Sequence, residues 1–149
     1  MSSSPKPPNT IGLYVHMPWC IRKCPYCDFN SHELSGSLLE SEYVSSLLRD
    51  LDGEVVRTDA TIDTIYFGGG TPSLFHPESF AKILEHPALQ RAQEITMEAN
   101  PGALECGSFE DYRDAGINRV SIGVQSLHPE SLRKLGRIHS PEEARIAVA

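Results

Sequence analysis

Short apolar and β-branched runs alternate with helix-period segments along nearly the whole chain, and this alternation restricts the fold more than any other feature of the sequence. Residues 11–16 read as a first strand. After the turn Ser35-Gly36-Ser37, the residues Leu39, Tyr43, Val44, Leu47, Leu48, Leu51 and Val55 recur at the three-to-four spacing of an amphipathic helix. Glu40, Glu42, Ser45, Arg49 and Asp50 fall between them on the solvent side. The unit then repeats. Residues 61–67 form a second strand ended by three glycines, and 77–85 a short helix with proline in its first turn. A third strand over 94–99 closes in the turn Asn100-Pro101-Gly102, and a helix over 107–115 ends at Gly116. Residues 119–124 make a fourth strand and 129–135 a fourth helix. Ser140-Pro141-Glu142-Glu143 then opens one more helix with an N-cap serine and a capping-box glutamate.

Strands alternating with helices predict an α/β fold, a parallel sheet with helices packed on its faces and its strands buried on both. About four βα units make an incomplete parallel partial barrel rather than a closed one. Residues 1–10, with three serines, three prolines and one lysine, read as a flexible leader. Residues 11–149 read as one truncated domain, the product of a fragment, a shortened gene or a pseudogene.

Three of the four cysteines, Cys20, Cys24 and Cys27, fall within eight residues directly after the first strand, spaced C-x3-C-x2-C. A cluster held by protein alone takes four thiolates, so three close together leave one iron with an open coordination position. A zinc ion on the same cysteines would need a fourth donor, which His16 or His32 is able to supply. Pro18 and Pro25 exclude one continuous helix through the loop. Cys106 stands apart, with no partner at ligand spacing.

The C-x3-C-x2-C loop, preceded by Tyr14-Val15-His16-Met17-Pro18-Trp19 and followed by Asp28-Phe29-Asn30-Ser31-His32, resembles the radical S-adenosylmethionine (SAM) superfamily. Within it, the loop resembles the heme chaperone HemW family, often labelled oxygen-independent coproporphyrinogen III oxidase-like. The resemblance implies a (βα)6 partial-barrel core followed by a C-terminal region, and a 4Fe-4S cluster on Cys20, Cys24 and Cys27. The open iron would be chelated by the amino and carboxylate groups of SAM, and an electron from the cluster would cleave SAM. It further implies that Gly69, Gly70 and Thr71, in the turn Gly68-Gly69-Gly70-Thr71-Pro72, lie at the methionine end of SAM. Glu98, Gln125 in Gly123-Val124-Gln125-Ser126, and Arg137 in Leu135-Gly136-Arg137-Ile138-His139 would contact SAM, with Tyr14 and Tyr26 also at that site. His16 and His32 would position the loop rather than bind iron.

The residue types agree with those roles. Glycines at a strand end let backbone approach a ligand closely, and ligands of parallel β/α folds bind beyond the carboxyl ends of the strands. An arginine fork suits a carboxylate. Structural alternatives are a turn-capping Glu98 and a solvated, helix-end Arg137.

The oxidase relatives carry a fourth cysteine two residues past the third, a position held here by Phe29. The sequence therefore favours a chaperone that binds cluster and SAM and passes heme to an acceptor protein, with an electron donor as second partner. A coproporphyrinogen III oxidase of porphyrin biosynthesis is the alternative, and a small structural zinc domain a second one. A formal charge of −7 disfavours nucleic acid and anionic membranes as partners. Hydrophobic residues at 40 % and charged ones at 22 % are those of a soluble globular protein, and no apolar run approaches a bilayer span. Cysteines bunched as ligands rather than dispersed as staples predict a cytoplasmic, reducing setting.

Overall fold

The computed structural model describes residues 9–102 and 106–149. Four strands, β1 (Thr10–Met17), β4 (Thr61–Gly69), β5 (Glu94–Ala99) and β6 (Arg119–Ile122), form one parallel sheet in the order β1-β4-β5-β6. Helices α1 (Glu40–Val55), α2 (Pro77–Leu84) and α3 (Phe109–Asp114) make the crossovers, and α4 (Pro129–Lys134) and α5 (Pro141–Val148) follow β6. Two two-residue strands, β2 (Trp19–Cys20) and β3 (His32–Glu33), pair in parallel and pinch off the cysteine loop.

The sheet order follows the chain order. Right-handed crossovers between strands laid down in sequence put every crossover helix on the same side. The helices therefore cover one face, not both as expected from the sequence. That face carries the core: Val15, Met17, Ile65, Phe67 and Met97 pack against Val44, Phe80, Ile83 and Tyr112. Phe67 and Phe80 meet edge to face at 4.9 Å, and Phe80 and Tyr112 at 5.6 Å. The buried Tyr112 hydroxyl is satisfied by the carbonyl oxygens of Ser73 and Phe75, each at 2.9 Å.

Alternate residues point the other way and are polar. The ladder places Tyr14 beside Tyr66, His16 beside Gly68, and Glu98 beside Ser121. Tyr14 and Tyr66 stack at 6.3 Å, and the Tyr66 hydroxyl donates to Glu98 at 2.8 Å.

Element ends differ from the sequence reading for local reasons. Residues 1–8 of the expected leader lie outside the described residues. Thr10 belongs to β1, and the Asn9 carbonyl accepts the Thr61 amide at 2.8 Å. Helix α3 starts at Phe109 rather than at 107, because Ser108 is its N-cap in a capping box with Asp111. Strand β6 stops at Ile122 rather than at 124, because the Val124 amide turns back onto the Ile122 carbonyl and Gln125 takes φ +62°. The predicted caps at Gly116, with φ +110°, and at Ser140 with Glu143 are both formed.

Candidate metal and cofactor site

The cysteine loop is anchored by an aromatic contact and by backbone hydrogen bonds at its neck. Trp19 packs edge to face on Tyr43 of α1 at 4.6 Å and against Phe75 at 5.9 Å. The His32 amide donates to the Pro18 carbonyl at 2.7 Å and the Leu34 amide to the Cys20 carbonyl at 2.8 Å, closing the loop at its neck. Inside it, the Lys23 ammonium spans to the Phe29 and Ser31 carbonyls at 3.2 and 3.0 Å.

His16 fixes the far side of the loop. Its Nε2 donates to the Asn30 carbonyl at 2.7 Å, which leaves Nδ1 to accept the Tyr14 hydroxyl at 3.0 Å. This is the loop-positioning role expected of it. His32 contributes through its backbone.

The glycine-rich strand end is locked to the same loop. Gly69 takes φ +114°, a left-handed conformation that disfavours any side chain. The Gly70 amide donates to the Met17 carbonyl and the Thr71 amide to the Trp19 carbonyl, both at 2.7 Å. A Cβ on Gly70 would lie 2.8 Å from the Met17 carbonyl oxygen, so this approach is open only to glycine.

Glu98 does not cap the following turn. It reaches back to β4, accepting the Gly69 amide at 3.1 Å and the Tyr66 hydroxyl. Arg137 is not a solvated helix end either. Its Nη2 donates to the Gly123 carbonyl at 2.8 Å and to Asn100 Oδ1, and its Nη1 lies 3.5 Å from Cys24 Sγ.

One cavity of about 320 Å³ collects these groups. Cys20, Cys24 and Cys27 line it together with Tyr26, Gly69, Gly70, Thr71, Glu98, Gln125 and Arg137. Ten of the eleven residues singled out from the sequence are thus brought to one place. The eleventh, Tyr14, lies at the edge of this group, half-exposed on the polar sheet face against Tyr66 and His16, with its hydroxyl beside Gly69. Asn100, Phe29 and Ser121 line the cavity as well. The sequence marks Asn100 only as part of a turn, and its one further signal is a polar residue just past a strand end. Gln125 has the lone positive φ among the described non-glycine residues, a strained state of the kind found at ligand sites.

The donor set fits an iron-sulfur cluster with a bound amino acid. All three cysteines are free thiols. Burial pushes the Cys20 thiol up, opposed by hydrogen bonds from the Thr71 and Ser31 hydroxyls, and donors of that kind stabilise a bound thiolate. Arg137 brings a cationic side chain to the cavity lining, and its Nε is buried without a partner. Burial also raises Tyr26, followed by the neighbouring Cys24. Among the described residues, no three His, Cys, Asp or Glu side chains group closely enough to hold one metal ion. Three thiols lining one cavity match a cluster that takes one cysteine per iron and leaves one iron open.

Comparison with known proteins agrees with the site. Residues 14–149 match the family model described as Radical SAM superfamily. The chain is 50 % identical over 142 residues to the heme chaperone HemW of Escherichia coli, covering 92 % of this chain and 38 % of that protein. It is 46 % identical over 147 residues to HemW of Haemophilus influenzae, at 93 % and 38 % coverage. It is 39 % identical over 138 residues to the mitochondrial radical S-adenosyl methionine domain-containing protein 1 of Danio rerio, at 89 % and 31 % coverage. The chain thus spans less than two fifths of the length of these curated relatives. Among solved structures, coproporphyrinogen III oxidase (HemN) from Escherichia coli, described as a radical SAM enzyme, superposes with a TM-score of 0.70. That likeness covers 96 % of this chain and 34 % of the oxidase at 24 % identity, and it speaks to the fold. No described helix is long and apolar enough to cross a membrane.

Proposed function

We propose that this chain, which belongs to the radical SAM superfamily, is the N-terminal part of a HemW-type heme chaperone. In this reading Cys20, Cys24 and Cys27 hold a 4Fe-4S cluster and SAM binds beside it. The observation that carries the reading is that three thiols, a glycine-only approach, Glu98, Gln125 and Arg137 line one cavity at the carboxyl ends of parallel strands.

When bound, the cluster supplies the electron for reductive cleavage of the SAM sulfonium. The chain's own residues bind and orient. Gly69 and Gly70 line the cavity, and their backbone would hold the amino group of SAM. Glu98, held in place by Tyr66 and the Gly69 amide, lines the cavity beside those glycines, where its carboxylate would pair with the ammonium group. Gln125, on the same cavity, would offer its amide to a hydroxyl of SAM. Arg137, which lines the cavity, would pair with the carboxylate.

Phe29 at the position of the oxidase cysteine, and the identity to HemW proteins, favour heme transfer over porphyrinogen oxidation. Heme would come from the full-length protein's remaining portion and pass to an acceptor protein, with a separate electron donor. A cytoplasmic, reducing setting suits the free thiols. Heme titration of the full-length protein tests this: a new Soret band, with no turnover of coproporphyrinogen III under anaerobic reducing conditions, is expected. Porphyrinogen turnover without heme binding would contradict it.

A further inference from the structure

We propose that Asn100 is a positioning residue for the iron-sulfur site, its single amide setting the donors on two of the three thiolates. The inference rests on the cluster reading above and adds to it a residue and a role.

The geometry leaves one arrangement of the amide. Arginine can only donate, so the atom of Asn100 that Arg137 Nη2 contacts must be the carbonyl Oδ1. The amide nitrogen therefore faces Thr71, and Nδ2 donates to Thr71 Oγ1 at 3.0 Å. With Oγ1 accepting from Asn100, the Thr71 hydroxyl proton is free to turn to Cys20, which lines the same cavity and whose thiol the Thr71 hydroxyl holds down against burial. On the other side, the Asn100 carbonyl and the Gly123 carbonyl together hold Nη2, and this keeps Nη1 3.5 Å from Cys24 Sγ. One side chain thus orients a hydroxyl on Cys20 and a cation on Cys24. Thr71 is 7 % exposed, so water cannot readily replace the orientation Asn100 gives it.

Hydrogen bonds and positive charge at cluster sulfurs stabilise the reduced, more negative state and raise the reduction potential. Asn100 should therefore raise the midpoint potential. Arg137 Nε takes no part in either contact.

The test is an EPR-monitored redox titration of the anaerobically reconstituted chain, without SAM, with iron counted on each sample. Asn100→Leu removes both amide contacts without adding charge, Thr71→Val removes only the hydroxyl on Cys20, and Asn100→Asp cannot donate to Thr71. Midpoints below wild type are expected in all three, lowest in Asn100→Asp, at an iron content equal to wild type. If Asn100→Asp loads poorly, Asn100→Leu and Thr71→Val decide. Unmoved midpoints in both, or reduced iron with an unmoved midpoint in the fraction that loads, would overturn the proposal. A wild-type chain that takes up no iron would instead sink the cluster reading itself.

Discussion

The two faces of the sheet are built from alternate residues of the same strands, yet they have opposite chemistry. Toward the helices stand Val15, Met17, Ile65, Phe67 and Met97, none more than 7 % exposed. Toward the other side stand Tyr14, at 54 % exposed, with His16, Tyr66, Glu98 and Ser121. The first face supplies the apolar burial that stabilises the fold. The second contributes little burial and instead carries groups that hydrogen-bond one another and the cysteine loop. Stability and chemistry are thus divided by the pleat, and a substitution on one face should leave the other's property mostly intact.

The division breaks most visibly at Phe67. Phe67→Ala removes a fully buried ring packed on Phe80 and should cost about 3–5 kcal/mol in urea unfolding. Tyr14→Ala on the opposite face should cost under about 1 kcal/mol, as an exposed side chain does. Equal costs would refute the division.

A smaller loss is expected at the junction of the two faces. Gly70→Ala pushes a methyl into the Met17 and Trp19 backbone and should cost about 1–3 kcal/mol, the range for overpacking. Because the strain falls between β4 and the cysteine loop, iron uptake should drop more than the melting temperature does. Iron counting beside a thermal melt reads both.

Gln125 should show the reverse sign. Its φ of +62° costs a non-glycine residue on the order of 1 kcal/mol, so Gln125→Gly should leave stability unchanged or raise it by about that amount. SAM affinity of the reconstituted protein, measured by calorimetry, should fall. A variant that binds SAM as well as wild type would remove Gln125 from the site.

The smallest effects are on pH dependence. Burial lowers the pKa of His139, whose Nε2 donates to the Val124 carbonyl, so the folded chain prefers the neutral ring. Its contribution is fully present above the unfolded value of about 6.5 and is lost as pH falls toward the lowered folded value. His76 has the opposite sign. Glu40 accepts from it at 2.8 Å and raises its pKa, which adds stability at low pH that disappears as pH rises through the raised value. That ring is 63 % exposed, so solvent screens the pair. His139→Gln should flatten the acid-side fall in melting temperature, and His76→Gln should steepen it.

Much of this was readable from residue order, and the limits have physical causes. Strands β1, β4 and β5 announce themselves by apolar and β-branched runs, and Ser140 and Gly116 by the backbone geometry their positions demand. The cysteine spacing and the glycine turn carry their chemistry in the residue types themselves. What stayed hidden depends on partners distant in sequence. The pairing of Trp19 and Cys20 with His32 and Glu33 is too short to leave a periodic signal. The coverage of only one sheet face follows from strand order, which local pattern does not contain. Asn100 looks like any turn asparagine until Thr71 and Arg137 are placed on either side of its amide. Tyr14, one residue in a strand of alternating direction, lies with its neighbours on the polar face and outside the cavity.

The central claim is that three thiols and a glycine-bordered cavity form a cluster site with room for SAM. The most direct measurement is anaerobic reconstitution with iron and sulfide, iron counting, and EPR of the reduced protein with and without SAM. The account predicts about four irons per chain and an EPR signal that changes on adding SAM. A chain that binds no iron, or a cluster whose signal is indifferent to SAM, would contradict it.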